Sequence, residues 1–304
     1  MQEQDNHSVG NKKQVKKSLA LVSACGIVSA FLTLTLSLLA RALGLYSTFQ
    51  GLALADSVIT ALAVLLPAVC FSLPLGGVRR FFSDKKRLSP FDSIMLFVFG
   101  LGGCVTLNFL VSLLSSMLPF LGESTAIRVG FDPANILLLT GSMAAVPAIC
   151  EEIAYRGFVF GSLRRYGVLY AAMISSVVFG MLHSSLSSAL FAFFSGMLFA
   201  FLRQSSGRLI VPLTVHFLNN TVALLGSASA NTFDEQTYQR LYLTFLLVSV
   251  FMMLAAFAVL YARGIRFSGR HKTMQLTARQ KLRYTFSCPV FVSFLAVTLI
   301  LKFL

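Results

Sequence analysis

The 304-residue chain is 56% hydrophobic and only 12% charged, with a mean hydropathy of +0.79. Soluble domains carry about 25% charged residues, so an ordinary soluble fold is excluded and a polytopic membrane protein is expected. The formal net charge of +14 is spread over short stretches between apolar runs. Membrane topology accounts for that pattern better than phosphate contacts do, and no nucleic-acid partner is expected.

Apolar runs at about 19–40, 55–75, 93–118, 134–158, 168–183, 188–202, 209–226, 241–262 and 286–304 give nine candidate spans. Those at 168–183 and 188–202 are short against the roughly 20 residues that a bilayer requires. Lys12, Lys13, Lys16 and Lys17 before the first run imitate a signal peptide, but the run is too long for an h-region and no small-residue cleavage site precedes Arg41. It reads as a first transmembrane helix. Asp132-Pro133 supplies an N-cap and a first helical residue for the fourth span. Pro67 and Pro147 should kink the spans that contain them.

With the N-terminus inside, every one of the 25 basic residues except Arg41, Arg128, Arg240 and Lys302 falls on the inner segments. Asp56, Glu123, Asp132, Asp234 and Glu235 fall on the outer ones. This bias predicts an all-α, polytopic transmembrane helical bundle of about eight to nine spans, with a cytoplasmic N-terminus. We expect a multi-pass protein of the plasma membrane. The stretch from Tyr261 to Arg283 is basic and free of acidic residues, which suits contact with anionic lipid at the inner face. Tryptophan is absent, so the interfacial belt falls to Tyr, Lys and Arg. Cys25, Cys70, Cys104, Cys150 and Cys288 are scattered without CxxC spacing and read as small apolar residues.

The residues that this scaffold does not explain are Glu151, Glu152 and Arg156, followed by His183, His216 and Asn220. A charge at the bilayer centre costs about 2.5–3.5 kcal/mol on insertion scales, so such residues are rare and usually functional. At about 1.5 Å rise per residue, Glu152 lies roughly 18 Å inward from Arg164, and His183 about 22 Å from Val168. His216 and Asn220 lie about 12 and 18 Å from Arg208, so one layer can hold them all. Glu152 and Arg156 share a helix face at i,i+4 and can pair, whereas Glu151 points about 100° away and is free to face the histidines. His216 and Asn220 are again i,i+4, and Phe179 stands one turn before His183 as a packing wall. A partly desolvated Glu151 suits a general base, and His216 with Asn220 could donate to an oxyanion. Glu151, His183 and His216 also make the Glu-plus-two-His set that binds catalytic zinc. Interhelical hydrogen bonding as structural glue explains any one histidine, but poorly explains the set.

EEIAYRG (Glu151–Gly157), FGMLH (Phe179–His183) and HFLNN (His216–Asn220) resemble the EExxxR, FxxxH and HxxxN motifs of the CPBP or Abi family. These are the CAAX-protease and bacteriocin-processing intramembrane endopeptidases. The spacings, 32 residues from Glu151 to His183 and 33 on to His216, are family-like, as is the run from Phe194 through Ser195-Gly196 and Ser206-Gly207 to Pro212. The charged Arg203 departs from the pattern and reads as an interface marker. The resemblance divides the chain into N-terminal transmembrane helices (1–133), a family-like core (134–226), and C-terminal transmembrane helices with a basic cytoplasmic loop (227–304).

The resemblance implies a CAAX-protease-like membrane hydrolase in which Glu151 activates water with Glu152 and Arg156 in support. His183 would position water or substrate, and His216 with Asn220 would stabilise the oxyanion. Its partner would be a peptide or protein at the membrane. No cofactor is expected, since the set holds no third histidine, the chain has no HExxH helix, and an asparagine stands beside His216. A zinc-dependent form of the same protease and a non-catalytic immunity or transport protein are the alternatives.

Overall fold

A computed structural model describes residues 2–77, 88–121, 132–265 and 276–302. The basic residues Arg79, Arg80, Lys85, Lys86, Arg87, Arg266, Arg270 and Lys272, and Glu123 and Arg128 of the expected outer side, lie outside the described residues. The described part is helical, without strands. The helices are α1 (Gln2–Ala42), α2 (Phe49–Leu75), α3 (Pro90–Met117), α4 (Ala134–Tyr166) and α5 (Val168–Met181). They continue as α6 (Leu186–Ser206), α7 (Ile210–Thr232), α8 (Glu235–Ala262), α9 (Ala278–Phe286) and α10 (Pro289–Ile300).

Seven of these helices are long and apolar enough to cross a membrane, or eight if α9 and α10, bent by 67°, count as one span. The chain is therefore a multi-pass integral membrane protein. The nine expected runs shrink because two of them make only short helices. α5 has 14 residues and α10 has 12, about 21 and 18 Å against a hydrocarbon core of about 30 Å.

The prolines act as expected, through a specific distortion. Pro67 and Pro147 each follow a π-helical segment, Ala61–Leu65 and Thr140–Ala145. A proline ring collides with the carbonyl four residues earlier, and widening the preceding turn relieves the collision. Leu66 and Val146 accordingly donate five residues back, to the carbonyls of Ala61 and Gly141. The Asp132 side chain accepts from the Ala134 N–H, so the expected cap of α4 forms.

The largest apolar core joins α1, α4, α5 and α6 to the last two helices, with Phe158, Phe160, Phe179 and Phe294 among its buried residues. A second joins α3, α6 and α7 to Leu260 of α8, and a small third joins α2, α4 and α7 through Ala53, Leu139 and Leu224. α5 and α6 approach closely at Gly180, where a Cβ would lie 2.7 Å from the Ala189 carbonyl oxygen. Asp92 at the start of α3 pairs with Arg263, just past α8, and this fastens the α3–α8 pair at one end.

Candidate functional site

α4 carries the acidic pair at a change of helix type. Glu151 ends an α-helical segment, and Glu152 opens a third π segment, Glu152–Val159. No proline dictates this one; π turns of that kind gather at functional sites. The Tyr155 carbonyl accepts from Ser175 Oγ of α5 at 2.9 Å, which ties the widened turn to its neighbour.

Glu152 and Arg156 are both buried, and Arg156 Nη1 lies 2.9 Å from Glu152 Oε1. The guanidinium also sits over two aromatic rings, 4.5 Å from the Phe179 centroid and 4.9 Å from that of Phe199. A buried cation needs a counter-charge and gains from aromatic faces; Arg156 has both. Glu152 holds a second partner, because His216 Nδ1 lies 3.0 Å from the same oxygen, Oε1. A carboxylate only accepts, so this contact places a proton on Nδ1.

The other ring nitrogen of His216, Nε2, lies 3.5 Å from Glu151 Oε2. With Nδ1 protonated, a neutral imidazole would turn a lone pair toward a carboxylate. A proton held between them, on either the carboxyl or Nε2, makes the approach favourable. His216 is thus clamped by both carboxylates and stacks on Phe199, with centroids 5.0 Å apart and planes at 24°. The two acidic residues, expected to take separate faces, meet on one imidazole from opposite sides.

His183 joins the cluster less directly. Its Nδ1 donates to the Phe179 carbonyl at 2.8 Å, which leaves Nε2 as an acceptor. The Phe179 ring stands edge-on to both histidines, 4.8 Å from His183 and 6.0 Å from His216. Asn220 lies one turn beyond His216, and its Oδ1 accepts from Asn219 Nδ2 at 3.3 Å, so its own amide donor faces the other way.

Phe199 and Tyr155 were not legible as site residues, because an aromatic residue in an apolar run carries no signal. Asn219 was legible only as the first half of an Asn-Asn pair. Arg203, in the last turn of α6 and one turn after Phe199, is 1% exposed, so its side chain packs inside the bundle.

The donor set can be tested against zinc. Two ligands of a tetrahedral zinc, each about 2.1 Å from it, stand about 3.4 Å apart. Glu151 Oε2 and His216 Nε2 match that edge, and Glu152 behind His216 is the usual kind of supporting carboxylate. The third donor is missing: among the described residues no three His, Cys, Asp or Glu side chains converge on one point. Glu151, His183 and His216 do not form a three-ligand zinc site in this arrangement.

The sequence model of the family described as "Type II CAAX prenyl endopeptidase Rce1-like" matches residues 133–222, the segment that holds every residue of the cluster. The chain is also similar to "Putative membrane peptidase YdiL" of Bacillus subtilis (strain 168), with 30% identity over 129 residues. That match covers 39% of this chain and 53% of the relative, so the chain spans about half the length of the relative it matches. No solved structure matches the chain. Over residues 133–222, the chain is therefore similar to the Rce1-like type II CAAX prenyl endopeptidases.

Proposed function

We propose that the chain is an intramembrane endopeptidase that cleaves a peptide bond by glutamate-activated water, without a metal. The observation that carries this reading is His216 held between Glu151 and Glu152. Glu151 is the more accessible carboxylate, its side chain 19% exposed against 0% for Glu152. It is the one that a water molecule can reach. Glu151 takes a proton from that water as the oxygen attacks the peptide carbonyl. The His216 Nε2–H and the Asn220 amide donate to the oxyanion that forms. Collapse of the tetrahedral intermediate breaks the C–N bond, and Glu151 returns its proton to the leaving amine.

Glu152 accepts from Nδ1 throughout and keeps the imidazole in the donating state, as an orienting carboxylate does in other hydrolytic sites. Arg156 neutralises Glu152 and does not touch the substrate. His183, with Nε2 free to accept, orients water or substrate.

The substrate would be a peptide or protein presented at the membrane, and the CAAX-type C-terminus of the family is the first to try. We further place the N-terminus in the cytoplasm and the chain in the plasma membrane. Anionic lipid would then meet α9, whose Arg279, Lys281 and Arg283 accompany the exposed Leu282 and Phe286.

Glu151→Gln is the test. It keeps shape and hydrogen bonding but cannot take a proton. In purified protein in detergent, with an internally quenched prenylated CAAX peptide, it should abolish cleavage while leaving expression and melting unchanged. Cleavage that survives refutes the mechanism.

A further inference from the structure

The last helix reaches the site. Sequence reading carried the final span to an outer end at Lys302, but α10 stops after 12 residues, about 18 Å. It starts level with α5, since Thr285 Oγ1 and Tyr170 Oη lie 2.8 Å apart where α9 meets the first turn of α5. α5 rises about 21 Å over its 14 residues. The two helices therefore end at similar heights, and Lys302 Nζ donates to the backbone carbonyl of His183.

The placement of α10 is rigid. Phe291 and Phe294 are buried in the main core, and a Cβ on Gly26 of α1 would lie 2.6 Å from the Phe294 ring. The contact also makes electrostatic sense. The carbonyls of the last turn of α5 form the negative pole of that helix, and the ammonium comes to rest two residues beyond it, where a cation is favoured. The His183 imidazole is already tied to the Phe179 carbonyl, and its N–H to the Gly180 carbonyl at 3.1 Å. Lys302 adds the remaining main-chain group, so ring, amide and carbonyl of His183 are all held.

We propose that Lys302 is a positioning residue: it fixes the turn that carries His183, so that a helix outside the family-like segment completes the active site. The role in cleavage rests on the peptidase reading; the role in holding the turn does not.

The test uses the full chain in detergent with Lys302→Met, Lys302→Arg and Glu151→Gln. Amide hydrogen exchange is read over residues 182–188, and cleavage of the quenched prenylated CAAX peptide is read in parallel. Lys302→Met should speed exchange over 182–188 selectively and lower kcat about tenfold with KM little changed, as expected for a displaced group. Lys302→Arg should restore most of both. Glu151→Gln should abolish cleavage with exchange unaltered. Wild-type exchange and kcat in Lys302→Met would overturn the proposal while leaving the peptidase reading intact. Faster exchange throughout α10 and the core would also overturn it, as mere loss of helix docking. If Glu151→Gln still cleaves, the glutamate mechanism falls, and if the wild type does not cleave, the peptidase reading falls; in either case the exchange result alone decides whether Lys302 holds the turn.

Discussion

Arg156→Met is the perturbation that most directly probes how the site is held. It keeps an unbranched side chain between the Phe179 and Phe199 rings but leaves Glu152, whose side chain has no solvent exposure, without its cation. Removing one partner of a buried ion pair costs about 3–5 kcal/mol. The lost cation–π contacts add about 1 kcal/mol each. Sulfur–aromatic contacts from Met return about 0.3–1.5 kcal/mol per ring. The net loss should be about 4 kcal/mol. Adding Glu152→Gln removes the stranded charge, while the amide oxygen still accepts from His216 Nδ1. The double variant should therefore be less destabilised than Arg156→Met alone, with a coupling of at least about 2 kcal/mol. Equilibrium unfolding in mixed detergent–SDS micelles, followed by circular dichroism, gives all three values. If Arg156→Met costs under 1 kcal/mol, or the double variant is no more stable than Arg156→Met, the pair does not hold the site as described.

Gly180→Ala should cost about 1–3 kcal/mol, since its Cβ would meet the backbone oxygen of Ala189 rather than a side chain that can turn away; the same unfolding measurement reads it, and a neutral result would refute the close crossing. Asp234 caps α8 and accepts from the Thr237 N–H, which holds its carboxyl below the usual range. Its contribution is present above the unfolded-state carboxylate pKa of about 3.9 and is lost as pH falls through the lower folded value. The melting difference between wild type and Asp234→Ala should accordingly shrink between pH 6 and pH 3, and a constant difference would exclude the charge as its source. Protein stripped with chelator and shown to be metal-free by mass spectrometry should cleave at the untreated rate. Loss of cleavage, restored by zinc, would show that the metal-free reading is wrong.

Hydropathy and charge were enough to read the membrane fold, because the bilayer allows few alternatives for runs such as 93–118 and 241–262. Helix periodicity also paired Glu152 with Arg156 correctly, since an i,i+4 relation is local. What it missed is tertiary. The stacking of Phe199 on His216 depends on how α6 crosses α7, and Phe199 looks like any other residue of its run. Both carboxylates reach His216 because α7 enters the angle between them, which an isolated helical wheel cannot show. The contact at the end of α10 was hidden for a related reason. A sequence gives the length of an apolar run, whereas the bend at Ser287 and Cys288, between α9 and α10, sets where its last residue comes to rest.

The three widened turns of the bundle differ in origin, and this bears on how the protein is made. Those before Pro67 and Pro147 are written into the covalent chain and form wherever the segment is helical. The one at Glu152–Val159 has no such cause; it is kept by partners on other helices, Ser175 of α5 and the rings of Phe179 and Phe199 around Arg156. Membrane helices insert first and associate afterwards. α4 would thus enter the bilayer as a regular helix over 152–159, with its charges unpaired or only locally paired. It would take up its working shape when α5, α6 and α7 dock. The cluster is then a product of association and is absent from the newly inserted span, so the nascent chain does not hold it until its last neighbours arrive.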